Sequence, residues 1–315
     1  MSTIDPQRRA AQEGALLHPR PDLGALLVTG KDRQTWLNGL ITNNLATSKA
    51  GDGIYALTVG KTGKILAELW LVLSSDRVAL ALAADKLEAI REHFDRHLIM
   101  EDAEVAPAPG RGWIAVHGPL AAELVAFARG KGADAAMVDF TGRRDTAAIL
   151  APEGEAEPFL KALLDHAGER GALATEEGME RLRIDWGVPR FGVDFDDQSL
   201  PQEASLERLS VSFTKGCYLG QEAVFMLEKR GHARKRLMRV AIEGSEPVPA
   251  GAELTLADGT ALGVLTSQAE GPSGQRVGLG YVKYKHAEAG VEVTVGGRPA
   301  RLVGLAAEPL KATAP

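Results

Sequence analysis

The last quarter of the sequence has the most regular pattern in the chain. From Leu237 onward, short runs of aliphatic and β-branched residues alternate with turns rich in Gly, Pro and Asp. Such spacing is typical of a small antiparallel barrel or sandwich. We therefore predict a C-terminal β-barrel. Its expected strands are Leu237–Ile242, Glu253–Leu256, Gly263–Gln268, Val277–Val282, Val291–Val295 and Ala300–Leu305.

The residues before this barrel mix helical and strand periodicity. Strand-type runs at Ile54–Val59 and Ile65–Leu73 flank a Gly-rich turn, and an amphipathic helix follows at Lys86–Leu98. The same order returns between Trp113 and His166, which predicts α+β layers and not a doubly wound sheet. Residues 1–22 are expected to be a disordered head. We expect two interleaved α+β subdomains over residues 23–231 and the barrel over residues 232–308.

Composition excludes several classes of protein. The single cysteine rules out a disulfide within the chain, a zinc site built on paired cysteines, and a cluster held by four thiolates of this chain. A formal net charge of −6 argues against a general nucleic-acid binder. No apolar run reaches the roughly 18 residues of a membrane span. We expect a reducing compartment, no membrane partner, no metal site and no nucleic acid.

The segment around Cys217 is the strongest candidate for chemistry. Cys217 precedes a predicted helix over residues 223–230, and Lys215 lies two residues before it. A helix N-terminus and a nearby cation both favour the thiolate, so we expect a lowered thiol pKa. Gly216 and Gly220 would let the backbone approach a ligand. The alternative, a small buried cysteine among turn glycines, stays open at this point.

Three segments resemble a known family. Lys215-Gly-Cys-Tyr-Leu-Gly-Gln-Glu222 resembles the signature of the YgfZ family, within the aminomethyltransferase superfamily. Trp36–Asn43 and Arg181–Arg190 resemble two further elements of that superfamily and occur in the expected order. The resemblance covers roughly residues 23–305 and is closest to the mitochondrial iron–sulfur assembly branch.

The resemblance implies a folate-pocket region over residues 23–231 followed by the barrel, tetrahydrofolate or a derivative as the bound cofactor, and assistance to iron–sulfur enzymes. The expected partners are iron–sulfur assembly proteins or client enzymes. The expected location is the cytoplasm, or the mitochondrial matrix in a eukaryote. The candidate working residues are Cys217 and Lys215. The candidate ligand-contacting residues are Asn43, Glu68, Glu203, Gln221 and Glu222.

The chain departs from the superfamily pattern at three places. The transferases carry two adjacent acids where this chain has Ala67 and Glu68. Their pterin-binding turn contains a glutamate that residues 141–145 lack, and Met226 replaces a common arginine. These departures leave two alternatives open, a folate-dependent aminomethyl or demethylating transferase and a partner-recruiting module without folate.

Overall fold

The computed structural model describes residues 5–308, which form two compact units. The N-terminal unit comprises the residues up to Val59, Leu66–Thr175 and Ser212–Leu219. The barrel unit comprises Gly60–Ile65, Glu176–Val211 and the chain from Gly220 onward. Neither unit is a continuous stretch of sequence. A boundary between residues 231 and 232 stays a prediction.

The prediction of a disordered N-terminal segment is wrong for residues 5–22. Residues 1–4 lie outside the described residues. Helix α1 spans Pro6–Glu13 and strand β1 spans Ala15–Arg20. Asp5 caps α1, because its carboxylate accepts a hydrogen bond from Gln7 N at 3.0 Å. The apolar start of β1 is fully buried. Charged residues on both sides hide this short apolar run in the sequence.

The first sheet of the N-terminal unit confirms the predicted hairpin and amphipathic helix. Its elements are β2 (Leu23–Thr29), α2 (Arg33–Asn38), β3 (Gly53–Val59), β4 (Ile65–Leu73), β5 (Val78–Ala83), α3 (Leu87–Asp95) and β6 (Glu104–Pro107). The strand order is β3-β4-β5-β2-β6. Ile90 and Phe94 of α3 are buried in the core on this sheet. Helix α2 ends at Asn38, and Leu40 and Ile41 are buried in the segment that follows it.

A second five-stranded sheet repeats the combination of strands and helices, as the sequence predicts. Its elements are β7 (Trp113–His117), α4 (Ala121–Gly130), β8 (Asp134–Met137), β9 (Thr146–Leu150), α5 (Ala156–Ala167) and β10 (Gly171–Leu173), together with β1. The order is β10-β1-β7-β9-β8, with β1 and β10 parallel and the other neighbours antiparallel. Leu124 of α4 and Phe159 and Leu163 of α5 are buried in its core.

The barrel unit contains the predicted closed antiparallel barrel. Its elements are α6 (Glu176–Trp186), α7 (Glu207–Ser210), α8 (Gln221–Arg230), β11 (Lys235–Ile242), β12 (Glu253–Thr255), β13 (Ala261–Glu270), β14 (Arg276–Lys283), β15 (Glu292–Val295) and β16 (Arg298–Leu305). The strands close in the order β11-β14-β13-β12-β15-β16, with β16 pairing back to β11. All six predicted strands are confirmed, with ends shifted by at most two residues.

A buried ion pair ties α6 to the barrel. Arg183 Nη1 donates to Asp194 Oδ2 at 2.7 Å, and Asp194 Oδ1 accepts from Ser267 Oγ on β13 at 2.6 Å. Glu180 pairs with the same guanidinium. Burial opposes the charge of Arg183, but these carboxylates raise the arginine pKa above its ordinary value.

Candidate functional site

The segment Ser212–Leu219, which carries most of the YgfZ-like signature, is bound at both ends to the residues that follow α2. Ser212 N donates to Thr42 O at 3.0 Å, and Leu219 N donates to Gly39 O at 2.9 Å. Two elements that are far apart in sequence therefore form one structure in the N-terminal unit. Both belong to the segments that carry the family resemblance.

Lys215 is the main contact between these two elements. Its Nζ donates to Asn38 O at 2.7 Å, to Ile41 O at 2.8 Å and to Asn43 O at 2.7 Å. Three acceptors use all the N–H groups of an ammonium, whereas a neutral amine has only two. Burial lowers the pKa of Lys215 to about 8. The ammonium thus latches the signature segment onto residues 38–43, and support of the thiol by Lys215 stays a prediction.

Cys217 lies in the middle of the latched segment with its side chain exposed. A side chain added at the neighbouring Gly216 would meet nothing within 4 Å. The reading of Cys217 as a small buried hydrophobe is therefore wrong. The next residue, Tyr218, is 6% exposed, and Lys215 Nζ lies 5.2 Å from the centre of its ring.

The predicted helix after Cys217 is confirmed and begins earlier than expected. Helix α8 starts at Gln221, preceded by Gly220 with a φ of +79° that favours glycine. Gly220 is the N-cap residue of α8. Because glycine has no side chain, it offers no side-chain acceptor to the backbone N–H groups in the first turn of the helix. Gln221 is half-buried and Glu222 is exposed.

Asn43 and Glu68 are connected through a tyrosine that sequence reasoning missed. Asn43 Nδ2 donates to Tyr55 O at 2.8 Å, and the Tyr55 hydroxyl donates to Glu68 Oε1 at 2.6 Å. Burial, and then the charge and hydrogen bond of Glu68, raise the pKa of Tyr55 well above its ordinary value. Since Asn43 also gives its carbonyl to Lys215, one set of contacts runs from Glu68 to the signature segment.

The alternation of β4 places Ala67 and Glu68 on opposite faces of the strand. Ala67 is 2% exposed and belongs to the core of the first sheet, while Glu68 is half-buried on the other face beside Tyr55. A second acid at position 67 would be buried among apolar side chains. Tyr55 could have been suspected from sequence only by its position on the strand paired with β4.

Glu203 lies in the barrel unit, in a turn that contacts β11 and α8. Its carbonyl accepts from Leu237 N at 2.9 Å, and its carboxylate accepts from Leu200 N at 3.2 Å. Burial raises the pKa of Tyr281 to about 12, and the Glu203 charge adds to the rise. Ligand contact by Glu203, Gln221 and Glu222 stays a prediction.

The position expected to carry a family arginine is exposed. Met226 has 53% of its surface accessible, and the nearby Lys229 Nζ lies 5.4 Å from the Phe225 ring centre. That the role of the family arginine falls to Lys229 or Arg230, or is absent from this chain, stays a prediction.

Comparison with known proteins agrees with this architecture. Residues 3–151 match the GCVT N-terminal domain, and residues 234–307 match the CAF17 C-terminal beta-barrel domain. An aminomethyltransferase from Halothermothrix orenii is 24% identical over 93% of this chain and 87% of its own length. A tRNA-modifying protein YgfZ from Hamiltonella defensa is 27% identical over 69% of this chain and 67% of its own length.

The solved glycine cleavage system aminomethyltransferase T from Bartonella henselae has the same fold. It superposes with a TM-score of 0.80 at 22% identity, covering 96% of this chain and 89% of that structure. Within residues 5–308, no helix has the length and apolar character needed to cross a membrane. The chain therefore combines matches to the GCVT N-terminal domain and the CAF17 C-terminal beta-barrel domain with the aminomethyltransferase fold, and its sequence is similar to aminomethyltransferases and to YgfZ proteins.

Proposed function

We propose that this protein binds tetrahydrofolate or a derivative and assists the assembly or repair of iron–sulfur enzymes. The observation that carries the proposal is an exposed Cys217 on a segment latched to the structure that holds Asn43 and Glu68. This arrangement keeps a thiol accessible on the segment that Lys215 fixes to the backbone at Asn43, in a chain whose domain pair is that of the family.

The residues of the N-terminal unit fit a folate. A half-buried carboxylate such as that of Glu68 can pair with the amide-like edge of a pterin, and Asn43 supplies a neighbouring amide. The buried hydroxyl of Tyr218 has no hydrogen-bond partner among the described residues, a state that costs about 1–3 kcal/mol and that a polar ligand would relieve. Bound tetrahydrofolate would supply a carrier of one-carbon units.

Cys217 would act on iron–sulfur proteins as a shared ligand. One thiolate cannot hold a cluster that needs four, so the other ligands must come from a partner protein or an external thiol. The partners of this proposal are iron–sulfur assembly proteins or client enzymes. The proposed location is the cytoplasm, or the mitochondrial matrix in a eukaryote.

The relatives named aminomethyltransferase favour a second candidate, a folate-dependent transferase. The burial of Ala67 in the core counts against it, because this chain presents one carboxylate beside Tyr55 where the transferases carry two adjacent acids. Formation of methylene-tetrahydrofolate from an aminomethylated carrier protein would reverse the ranking. A module that recruits partners without folate is the third candidate.

Titration with tetrahydrofolate tests the proposal most directly. A ligand that binds only the native state raises the melting temperature with concentration, by RT ln(1 + [L]/Kd) in free energy. We expect a saturable rise for the wild type and a smaller one for Glu68→Gln, which keeps a hydrogen-bond acceptor for Tyr55. No rise at millimolar ligand in folded protein would leave the folate-free module as the better reading.

A further inference from the structure

Two adjacent apolar residues protrude from the N-terminal unit between α3 and β6. Ile99 is 85% exposed and Met100 is 92% exposed, the highest values among the large hydrophobic residues that the structure describes. Single exposed hydrophobic residues are ordinary on protein surfaces, but neighbouring ones with a cleft beside them are typical of interaction sites. We refer to Ile99 and Met100 as the apolar finger.

Local hydrogen bonds hold the apolar finger in place. Ile99 N and Met100 N both donate to Glu101 Oε2 at 3.1 Å, and these bonds lower the pKa of Glu101. Asp102 N donates to Asp32 Oδ2 at 2.9 Å, and Asp32 N donates to Asp102 O at 2.9 Å. The loop is therefore tied to the start of α2, and a partner would meet a surface that needs little ordering on binding.

A cleft of about 420 Å³ opens beside the finger. Its floor is apolar, with the buried Trp36 indole donating to His97 O at 3.0 Å and Leu40 next to it. Two carboxylates, Asp32 and Glu101, stand in its lining. The residues that line the cleft include Asp32, Trp36, Gly39, Leu40, His97 and Glu101.

The cleft and the signature segment share one stretch of backbone. Gly39 lines the cleft, and its carbonyl accepts the hydrogen bond from Leu219 N. Asn38 and Ile41, on either side of Gly39 and Leu40, give their carbonyls to Lys215. A protein seated on the cleft would therefore contact the element that holds the Cys217 segment.

We propose that the apolar finger and this cleft form the docking surface for the iron–sulfur partner protein, which presents a large apolar side chain flanked by basic residues. The inference rests on the proposed function and names the chemistry of its partner. The apolar floor and finger select the hydrophobic anchor, and the rim carboxylates select the basic flanks. A second copy of this chain fits less well, because a two-fold contact would bring the same acidic rims together.

The experiment compares two double variants that remove exposed apolar surface. Ile99→Ser with Met100→Ser removes the finger, while Val264→Ser with Val303→Ser makes a matched change at barrel positions that are 46% and 37% exposed. Both are expressed in cells that lack the native protein, and iron–sulfur enzyme activity is measured. We expect the iron–sulfur enzyme activity restored by the finger variant to be lower than that of the wild type by about tenfold or more, and the barrel variant to match the wild type. Glu101→Gln, which keeps an acceptor for the two amides, is expected to fall in between.

The melting temperature and the tetrahydrofolate shift of each purified variant show whether a loss of rescue comes from misfolding or from lost docking. The proposal requires that the finger variant keep the melting temperature and the tetrahydrofolate shift of the wild type, and Met100→Ser alone replaces it if the double variant does not fold. Rescue equal to wild type by the folded variant overturns the docking surface and leaves the proposed function intact. A concentration-dependent wild-type dimer in sedimentation, absent in the finger variant, overturns it in favour of a second copy. Failure of the wild type to rescue removes the proposed function and this partner with it.

Discussion

Each unit contains a cation that is largely removed from solvent, the half-buried Lys215 in one and the buried Arg183 in the other, and the two have opposite kinds of hydrogen-bond acceptor. Arg183 binds the carboxylates of Glu180 and Asp194, and its pKa is raised. Lys215 binds three backbone carbonyls, and burial lowers its pKa to about 8. The paired arginine is an anchor at any physiological pH. The lysine latch depends on a proton that the protein holds less firmly than the arginine holds its own.

Removing the anchor should have the largest effect. Arg183→Met leaves the Asp194 carboxylate, whose side chain has no exposed surface, without its cation. Breaking a buried pair in this way costs about 3–5 kcal/mol. Urea denaturation measures the change, and Arg181→Met on the same helix, where an exposed pair with Glu270 spans 3.5 Å, should cost less than about 0.5 kcal/mol. A loss below 1 kcal/mol for Arg183→Met would contradict the anchor role.

Acid should destabilise the N-terminal unit through two histidines, the half-buried His18 and the buried His117. Burial, and then Arg20, lower the pKa of His18 to about 4 despite the opposing charge of Asp22. Burial, followed by His18, Arg20 and Arg143, lowers the pKa of His117 well below its ordinary value. The unfolded chain binds these protons near pH 6.5 and the native state does not, so stability falls as the pH drops from 6.5 toward 4.

The size of that loss is up to about 3 kcal/mol for His18, from about 1.4 kcal/mol per pKa unit. Urea denaturation at pH 7, 6, 5 and 4 measures it. Because carboxylates also titrate in this range, the informative quantity is the difference between the wild type and His18→Gln, which should shrink on acidification. If the difference in unfolding free energy between the wild type and His18→Gln stays constant from pH 7 to pH 4, His18 binds its proton as readily in the native state as in the unfolded chain, and the prediction is wrong.

The sequence predicted the repeated elements well and the latch not at all. The barrel strands and α8 follow from local periodicity and turn residues, which act over a few neighbouring positions. The burial of β1 depends on its pairing with β7, a partner almost a hundred residues away. The three carbonyl acceptors of Lys215 lie more than 170 residues before it, and no local pattern encodes such a contact. Asn43 and Glu68 were identified by resemblance, whereas Tyr55, which joins them, carries no motif of its own.

Opening the latch should have a moderate effect that is concentrated in the signature segment. Lys215→Met leaves three carbonyls without their donor but also removes a half-buried charge, so we expect a net loss of about 1–2 kcal/mol at pH 7. Hydrogen exchange at Ser212 N and Leu219 N, which bond to Thr42 O and Gly39 O, should become faster. Lys64→Met, which removes one exposed hydrogen bond to Gln198, serves as the control and should change neither amide.

The pH dependence of the latch separates it from the anchor. Because the native pKa of Lys215 is about 8 and the unfolded value is about 10.4, the unfolded chain binds more protons between these limits. The Lys215 contribution to stability therefore rises with pH across this window, and the wild type should gain relative to Lys215→Met. The difference between the wild type and Arg183→Met should stay constant there, since the arginine does not titrate. Equal pH profiles for the two differences would show that Lys215 is as firmly protonated as the arginine.

The smallest effect on stability and the clearest effect on function should come from Cys217→Ser. The side chain is exposed and lies between the latched ends of its segment, so we expect a change in unfolding free energy within about 0.5 kcal/mol. Because Cys217 is the only cysteine, alkylation with a maleimide reports on this thiol alone, and the reaction should be complete in native protein.

The Cys217→Ser variant should lose rescue of iron–sulfur enzyme activity while keeping the tetrahydrofolate shift, since the thiolate is proposed to contact the partner's cluster and not the folate. Thr214→Ser, at an exposed neighbouring position, is the matched control. Full rescue by folded Cys217→Ser would place the working groups at Asn43, Tyr55 and Glu68 instead, and would leave the latch as a purely structural clamp.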